Sequence, residues 1–142
     1  MQTLQRRVFP GKLSSLAKIA RFVAAAADAA GLDERATYAV QMAVDEACSN
    51  IIEHTYSDQA EGSIECEYEI TDESLVITLR DQGRPFDPTA VADPELDAQL
   101  EQRPLGGLGV YLMRQLMDSV DHHYEPGTGN VLTLVKHREA CP

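Results

Sequence analysis

The chain has no apolar run near the ~20 residues that a membrane-spanning helix requires. Its N-terminus, "MQTLQRRVFP", lacks the apolar stretch of a secretory signal. These absences make a cytoplasmic protein, without membrane contact, the expectation. Cysteine is scarce: Cys48, Cys66 and Cys141 make an odd number with no C-x-x-C pair. That pattern favours neither a disulfide framework nor a zinc site. Positive charge is scarce too, with 12 Lys and Arg against 23 Asp and Glu and a formal net charge of -11. Such a surface repels a polyanion, so direct nucleic-acid binding is not expected, while a protein partner stays open.

What is present suffices for a single core. The 142 residues suit one domain spanning 1–142, and a 44% hydrophobic content needs no disulfide staples. Residues 3–9 read as a short edge strand closed by Pro10-Gly11. "SSLAKIARFVAAAADAAG" reads as a helix capped by Ser14 or Ser15, with Leu16, Ile19, Phe22 and Val23 inward and Gly31 at its end. Asp33 is a good N-cap for a second helix reaching about His54.

"IECEYEI" alternates, with Ile64, Cys66, Tyr68 and Ile70 on one side and Glu65, Glu67 and Glu69 on the other. "SLVITLRD" repeats the pattern, and "TDES" between them predicts a hairpin. Residues 84–105 are a proline-rich connection of the kind that serves as a lid. A third helix is expected over "GLGVYLMRQLMDSV", followed by a hairpin turning at Pro126 to Gly129. Strands with one wet face need helices on the other face only. The expected fold is therefore a two-layer α+β sandwich with a mainly antiparallel sheet.

Three short motifs carry chemistry. In "VDEACSNIIEHTY", Glu46 and Asn50 are one helical turn apart, beside the apolar stripe of Val44, Ala47, Cys48, Ile51 and Ile52. A carboxylate can take a proton from a hydroxyl, and a carboxamide oxygen is a hard, neutral ligand suited to Mg2+. Two exposed polar residues would give the same spacing. In "DQGRPFDP", Asp81 stands at a strand end and can accept from an exocyclic amine, while Gly83 leaves room for a flat ring. An ordinary strand-to-loop turn also uses Asp and Gly. In "GGLG", Gly106, Gly107 and Gly109 open a helix whose free N–H groups suit phosphate. A flexible hinge would also use glycine.

Order and spacing change the weight of the three. Together they resemble the N-box, G1 box and G2 box of the ATP-binding superfamily that includes gyrase, heat-shock chaperones, histidine kinases and mismatch-repair ATPases. "AVDEACSNIIEHTY", "LRDQGRPFDP" and "GGLGVYLMRQLMDSV" are similar to the bacterial anti-sigma factor serine/threonine-protein kinases.

The resemblance covers nearly the whole chain and implies a histidine-kinase-like ATPase fold, with a mixed, mainly antiparallel sheet, that binds Mg-ATP. It gives Asp81 the adenine amine with Gly83 beside it, Asn50 the Mg2+, Glu46 the general-base role, and Gly106, Gly107 and Gly109 the phosphates. Residues 84–105 become the lid. It also implies two protein partners, a sigma factor and an anti-sigma factor antagonist, and a homodimer. The reading from a different class is an ATP-dependent regulatory binding module with little or no kinase activity. His54, Arg84 and Arg103 have ordinary solvated or structural explanations, and Phe86 packing at the lid root. His122 and His123 fall on opposite faces of a strand with no ligand cluster, and Arg21 is a possible partner contact.

Overall fold

The computed structural model describes residues 3–55, 62–83, 85 and 107–138. The expected lid, Gly106 and Cys141 lie outside these residues. Along the chain the elements are β1 (Thr3–Pro10), α1 (Leu16–Ala29), α2 (Glu34–Asn50), β2 (Ser63–Ile70), β3 (Ser74–Asp81), α3 (Gly107–Leu116), β4 (Ser119–Glu125) and β5 (Gly129–His137). The five strands form one sheet in the order β1-β2-β3-β5-β4. The mixed sheet that the resemblance implies is corrected by the pairing, because all four described pairs are antiparallel.

Both long helices begin or end for local reasons. Asp33 caps α2, its side chain accepting from the Ala36 N–H at 2.8 Å. At the end of α1, Gly31 takes a φ of +76°. Its N–H donates to the Asp28 carbonyl, and that of Leu32 to the Ala27 carbonyl, each at 3.0 Å. This is a Schellman closure, which glycine makes without steric cost.

The serine cap expected at the start of α1 is not made. Ser15 is already helical, at φ −79° and ψ −19°, after a short 3-10 turn over Leu13–Ser15. Its hydroxyl instead donates to the Pro10 carbonyl at 2.6 Å, tying the helix to the end of β1.

The helices and one sheet face share a single core. Ile19 and Val23 of α1, Val40, Val44 and Cys48 of α2, Ile64, Leu75, Ile77 and Leu79 of the sheet, and Met113 of α3 are almost fully buried. Each large aliphatic among them contributes roughly 1.5–3 kcal/mol by leaving water. The opposite sheet face is wet. There Arg80 pairs with Glu65 at 3.3 Å and Glu67 at 3.6 Å, and Arg6 with Glu65 at 3.6 Å. These pairs account for the alternation of "IECEYEI".

α3 stops earlier than its apolar spacing predicts. Ser119 and Val120 pair with Val135 and Leu134 of β5, and a strand pairing cannot be shared with a helical one. The Lys136 ammonium donates to the Leu116 carbonyl at 2.7 Å, closing the helix with a cation at its negative end.

A tight backbone approach fixes the β3–β5 register. Gly129 has a φ of +109°, and a Cβ there would sit 2.0 Å from the Asp81 carbonyl oxygen. Gly127, at φ +87°, faces open space. Gly129→Ala is therefore expected to lose more than about 2 kcal/mol, and Gly127→Ala only about 1 kcal/mol. Paired thermal melts compare them, and equal losses would contradict the close approach.

Candidate functional site

Chain direction gathers the site at one end of the sandwich. At the other end, a groove of about 620 Å³ is lined by Asp33 and Arg35 at the start of α2, Gln115 and Leu116 of α3, and Lys136 to Arg138 around the end of β5. α2 therefore begins where α3 ends. β3 begins there as well, since Ser74 pairs with His137. A 17-residue helix and an 8-residue strand have nearly the same length, about 25 and 27 Å. The end of α2, the end of β3 and the start of α3 thus lie together at the far end. Asn50, Asp81 and Gly107 occupy those three termini.

The cysteines support that placement. Cys48 and Cys66 are free and buried. Burial first, and then the neighbouring Cys66 thiol, push the Cys48 thiol well up. Cys66 pairs across the sheet with Leu79, two residues before Asp81.

Asn50 ends α2 and is only 7% exposed. Among the described residues, its Nδ2 is the one buried side-chain polar atom without a hydrogen-bond partner. A buried, unpaired amide costs about 1–3 kcal/mol. Immediately after it the helix loosens into a π-helical turn over Ile51–Thr55, a feature that sequence periodicity does not reveal. π turns concentrate at functional positions because they change which groups a helix end presents.

Glu46 lies one turn earlier on α2 and is partly buried. Burial first, then the Asp45 and Glu53 carboxylates, push its carboxyl above the ordinary glutamate value. That direction makes it a better proton acceptor near neutral pH than a free glutamate.

Asp81 ends β3 and is 3% exposed. Its Oδ1 accepts from the Gly83 N–H and from the Asn130 Nδ2, both at 3.0 Å. Burial pushes its carboxyl up; the Asn130 bond, the Gly83 bond and the nearby His122 act in the opposite direction. Gly83 is buried beside it. Gly107 and Gly109 fall inside the first turn of α3, where the sequence places them. The first N–H groups of a helix have no partner within it, so the capacity for an anion is retained.

Asn130, His122 and Gly129 are site residues that sequence patterns do not reveal. Asn130 is 49 residues from Asp81, and only the β3–β5 register brings them together. The histidines do separate as expected: His122 bonds to Asn130 and His123 to Glu125, each at 2.9 Å. Among the described residues no cluster of three or more His, Cys, Asp and Glu is placed to hold a metal. No helix among them is long and apolar enough to cross a membrane.

The two-layer α+β sandwich is that of an ATPase-type domain of the kinase class. The family model described as "Histidine kinase-like ATPase domain" matches residues 9–136. The chain belongs to the histidine kinase-like ATPase family, in its branch of anti-sigma factor kinases.

Among similar proteins, "Serine-protein kinase RsbW" of Listeria innocua serovar 6a is 32% identical over 111 residues, covering 75% of this chain and 71% of that one. The protein of the same name from Bacillus cereus (strain AH187) is 28% identical over 134 residues, covering 92% and 83%. A solved structure, the histidine kinase domain from the Erythrobacter litoralis EL346 blue-light activated histidine kinase, shares the fold. Its TM-score is 0.56 at 21% identity, over 87% of this chain and 59% of that one.

The unpaired amide of Asn50 has a consequence for stability. An apolar side chain there removes a buried N–H donor that has no partner among the described residues. Asn50→Leu should melt at or above the wild-type temperature in the absence of nucleotide, a gain of up to about 2 kcal/mol. A clear loss in calorimetric melts would contradict the unsatisfied state of this side chain.

Proposed function

We propose that this chain is an anti-sigma factor serine-protein kinase. It binds Mg-ATP, phosphorylates an anti-sigma factor antagonist and sequesters a sigma factor, as a cytoplasmic homodimer. The observation that carries the reading is the buried, unsatisfied amide of Asn50, one turn from a carboxylate whose proton affinity is raised.

The residues present fit a magnesium nucleotide. An isolated Asn supplies one neutral oxygen ligand, which is how Mg2+ is held when phosphates and waters complete its octahedron. Rotation of the Asn50 amide exchanges its oxygen and nitrogen, so either can face the ligand. Asp81 accepts the adenine amine, with Gly83 beside the ring. Gly106, Gly107 and Gly109 offer backbone N–H groups to phosphate, and residues 84–105 close as the lid.

Bound Mg-ATP supplies the phosphoryl group and the counter-charge for its transfer. Glu46 would remove the proton from the acceptor hydroxyl as that oxygen takes the γ-phosphoryl group, whose bond to ADP breaks so that ADP leaves. The raised proton affinity of Glu46 favours this step.

Charge distribution supports protein partners. Arg6, Arg7, Lys12, Lys18 and Arg21 precede the first acidic residue, Asp28. Arg7, Lys18 and Arg21 surround Phe22 and Ala25 in a surface groove. A cationic rim around an apolar floor fits an acidic protein surface, although the chain as a whole is acidic.

The second reading is a regulatory module that binds ATP without transferring phosphate. Glu46→Gln separates the two, because it keeps shape and removes the base. It should retain ATP and partner binding while slowing phosphorylation of the antagonist roughly 10²–10⁴-fold. Single-turnover transfer of radiolabelled phosphate is the measurement. Unchanged rates would remove Glu46 as the base, and no transfer by the wild type to any antagonist would favour the module.

A further inference from the structure

Asp81 belongs to a chain of side chains running across three adjacent strands. Its Oδ1 accepts from the Asn130 Nδ2 at 3.0 Å, and the Asn130 Oδ1 meets the His122 Nε2 at 2.9 Å. Asp81 is on β3, Asn130 on β5 and His122 on β4. Asp81 pairs with Asn130 in the ladder, and His122 lies on the strand beside it.

Donor and acceptor chemistry fixes every member. A carboxamide oxygen only accepts, so the His122 Nε2 must carry a hydrogen and donate. The amide nitrogen only donates, so the Asp81 Oδ1 must accept. Asn130 is thereby held at both ends and cannot rotate its amide without losing both bonds. Asn130 is 4% exposed, so neither end can exchange its partner for bulk water cheaply.

The second donor to Oδ1 is the Gly83 N–H at 3.0 Å. Both bonds fall on one oxygen, which leaves Oδ2 as the acceptor for a group from outside. Two donated bonds also favour the ionised carboxylate, against the burial that disfavours it. A protonated Asp81 would present a hydroxyl and could no longer discriminate a ligand amine from a ligand carbonyl.

We propose that Asn130 and His122 are positioning residues. They hold Asp81 ionised and oriented, and so set the preference of the site for a purine bearing an exocyclic amine. This rests on the reading of Asp81 as the amine acceptor.

The ordinary alternative is a polar staple between strand ends, which would steady the sheet without affecting base recognition. A pair of nucleotides tells the two apart. ATP carries the 6-amino group, and purine riboside triphosphate has the same ring, ribose and phosphates without it. A positioning role acts only through the amine, whereas a loosened site weakens both ligands.

The experiment is calorimetric titration of both nucleotides, with Mg2+, into the wild type, His122→Phe, His122→Gln and Asn130→Asp. Asn130→Asp is close to isosteric and replaces the donor with a second carboxylate. His122→Gln keeps an N–H donor. The wild type should prefer ATP. His122→Phe and Asn130→Asp should each lower ATP affinity about tenfold while changing purine riboside triphosphate affinity by less than about twofold. His122→Gln should recover part of the loss.

Parallel losses for both nucleotides, or no loss for either, would overturn the proposal and leave the staple. If His122→Phe fails to fold, His122→Gln and Asn130→Asp make the same distinction between positioning and stapling. A wild type that binds both nucleotides equally, or binds neither, overturns the amine contact itself and the positioning role with it.

Discussion

The antiparallel ladder between β3 and β5 is the constraint on which the site depends. It joins the two hairpins of the sheet, and at its end it sets Asn130 against Asp81. The register cannot slip there, because Gly129 lies where a Cβ would meet the Asp81 carbonyl oxygen. A slip of one residue would also turn Leu132 and Leu134 from the core to the wet face. Packing of the core and placement of one carboxylate are thus the same event.

α2 shows a second economy of the fold. Its apolar stripe, Val40, Val44, Ala47 and Cys48, packs between α1, α3 and the sheet. The same helix carries Glu46 and Asn50 to the end of the sandwich where β3 finishes. Each polar residue pays for its position: Glu46 is pushed toward protonation, and the Asn50 Nδ2 has no hydrogen-bond partner among the described residues. Local conflicts of this kind concentrate at functional or strained positions.

Local signals were legible in the sequence. The alternation in β2 and β3, the Asp33 cap and the Gly31 terminus depend on residues a few positions apart, and all occur in the structure. Asp81 and the Glu46–Asn50 pair stand out in the sequence because each lies within one short motif. Non-local competition was not legible. Ser119 and Val120 suit a helix until β5 offers them a ladder, and Ser15 suits a cap until Pro10 offers its carbonyl. His122 and Asn130 join Asp81 only through strand pairing, so no spacing in the sequence could announce them.

The central claim is that the end of β3 is an adenine site served by Asp81. The most direct measurement is calorimetric titration of Mg-ATP into the wild type and into Asp81→Asn. Asparagine keeps the size of the side chain but loses the charged acceptor. The wild type should bind, and Asp81→Asn should bind roughly 10- to 100-fold more weakly. Equal affinity of the two proteins for ATP would contradict the claim.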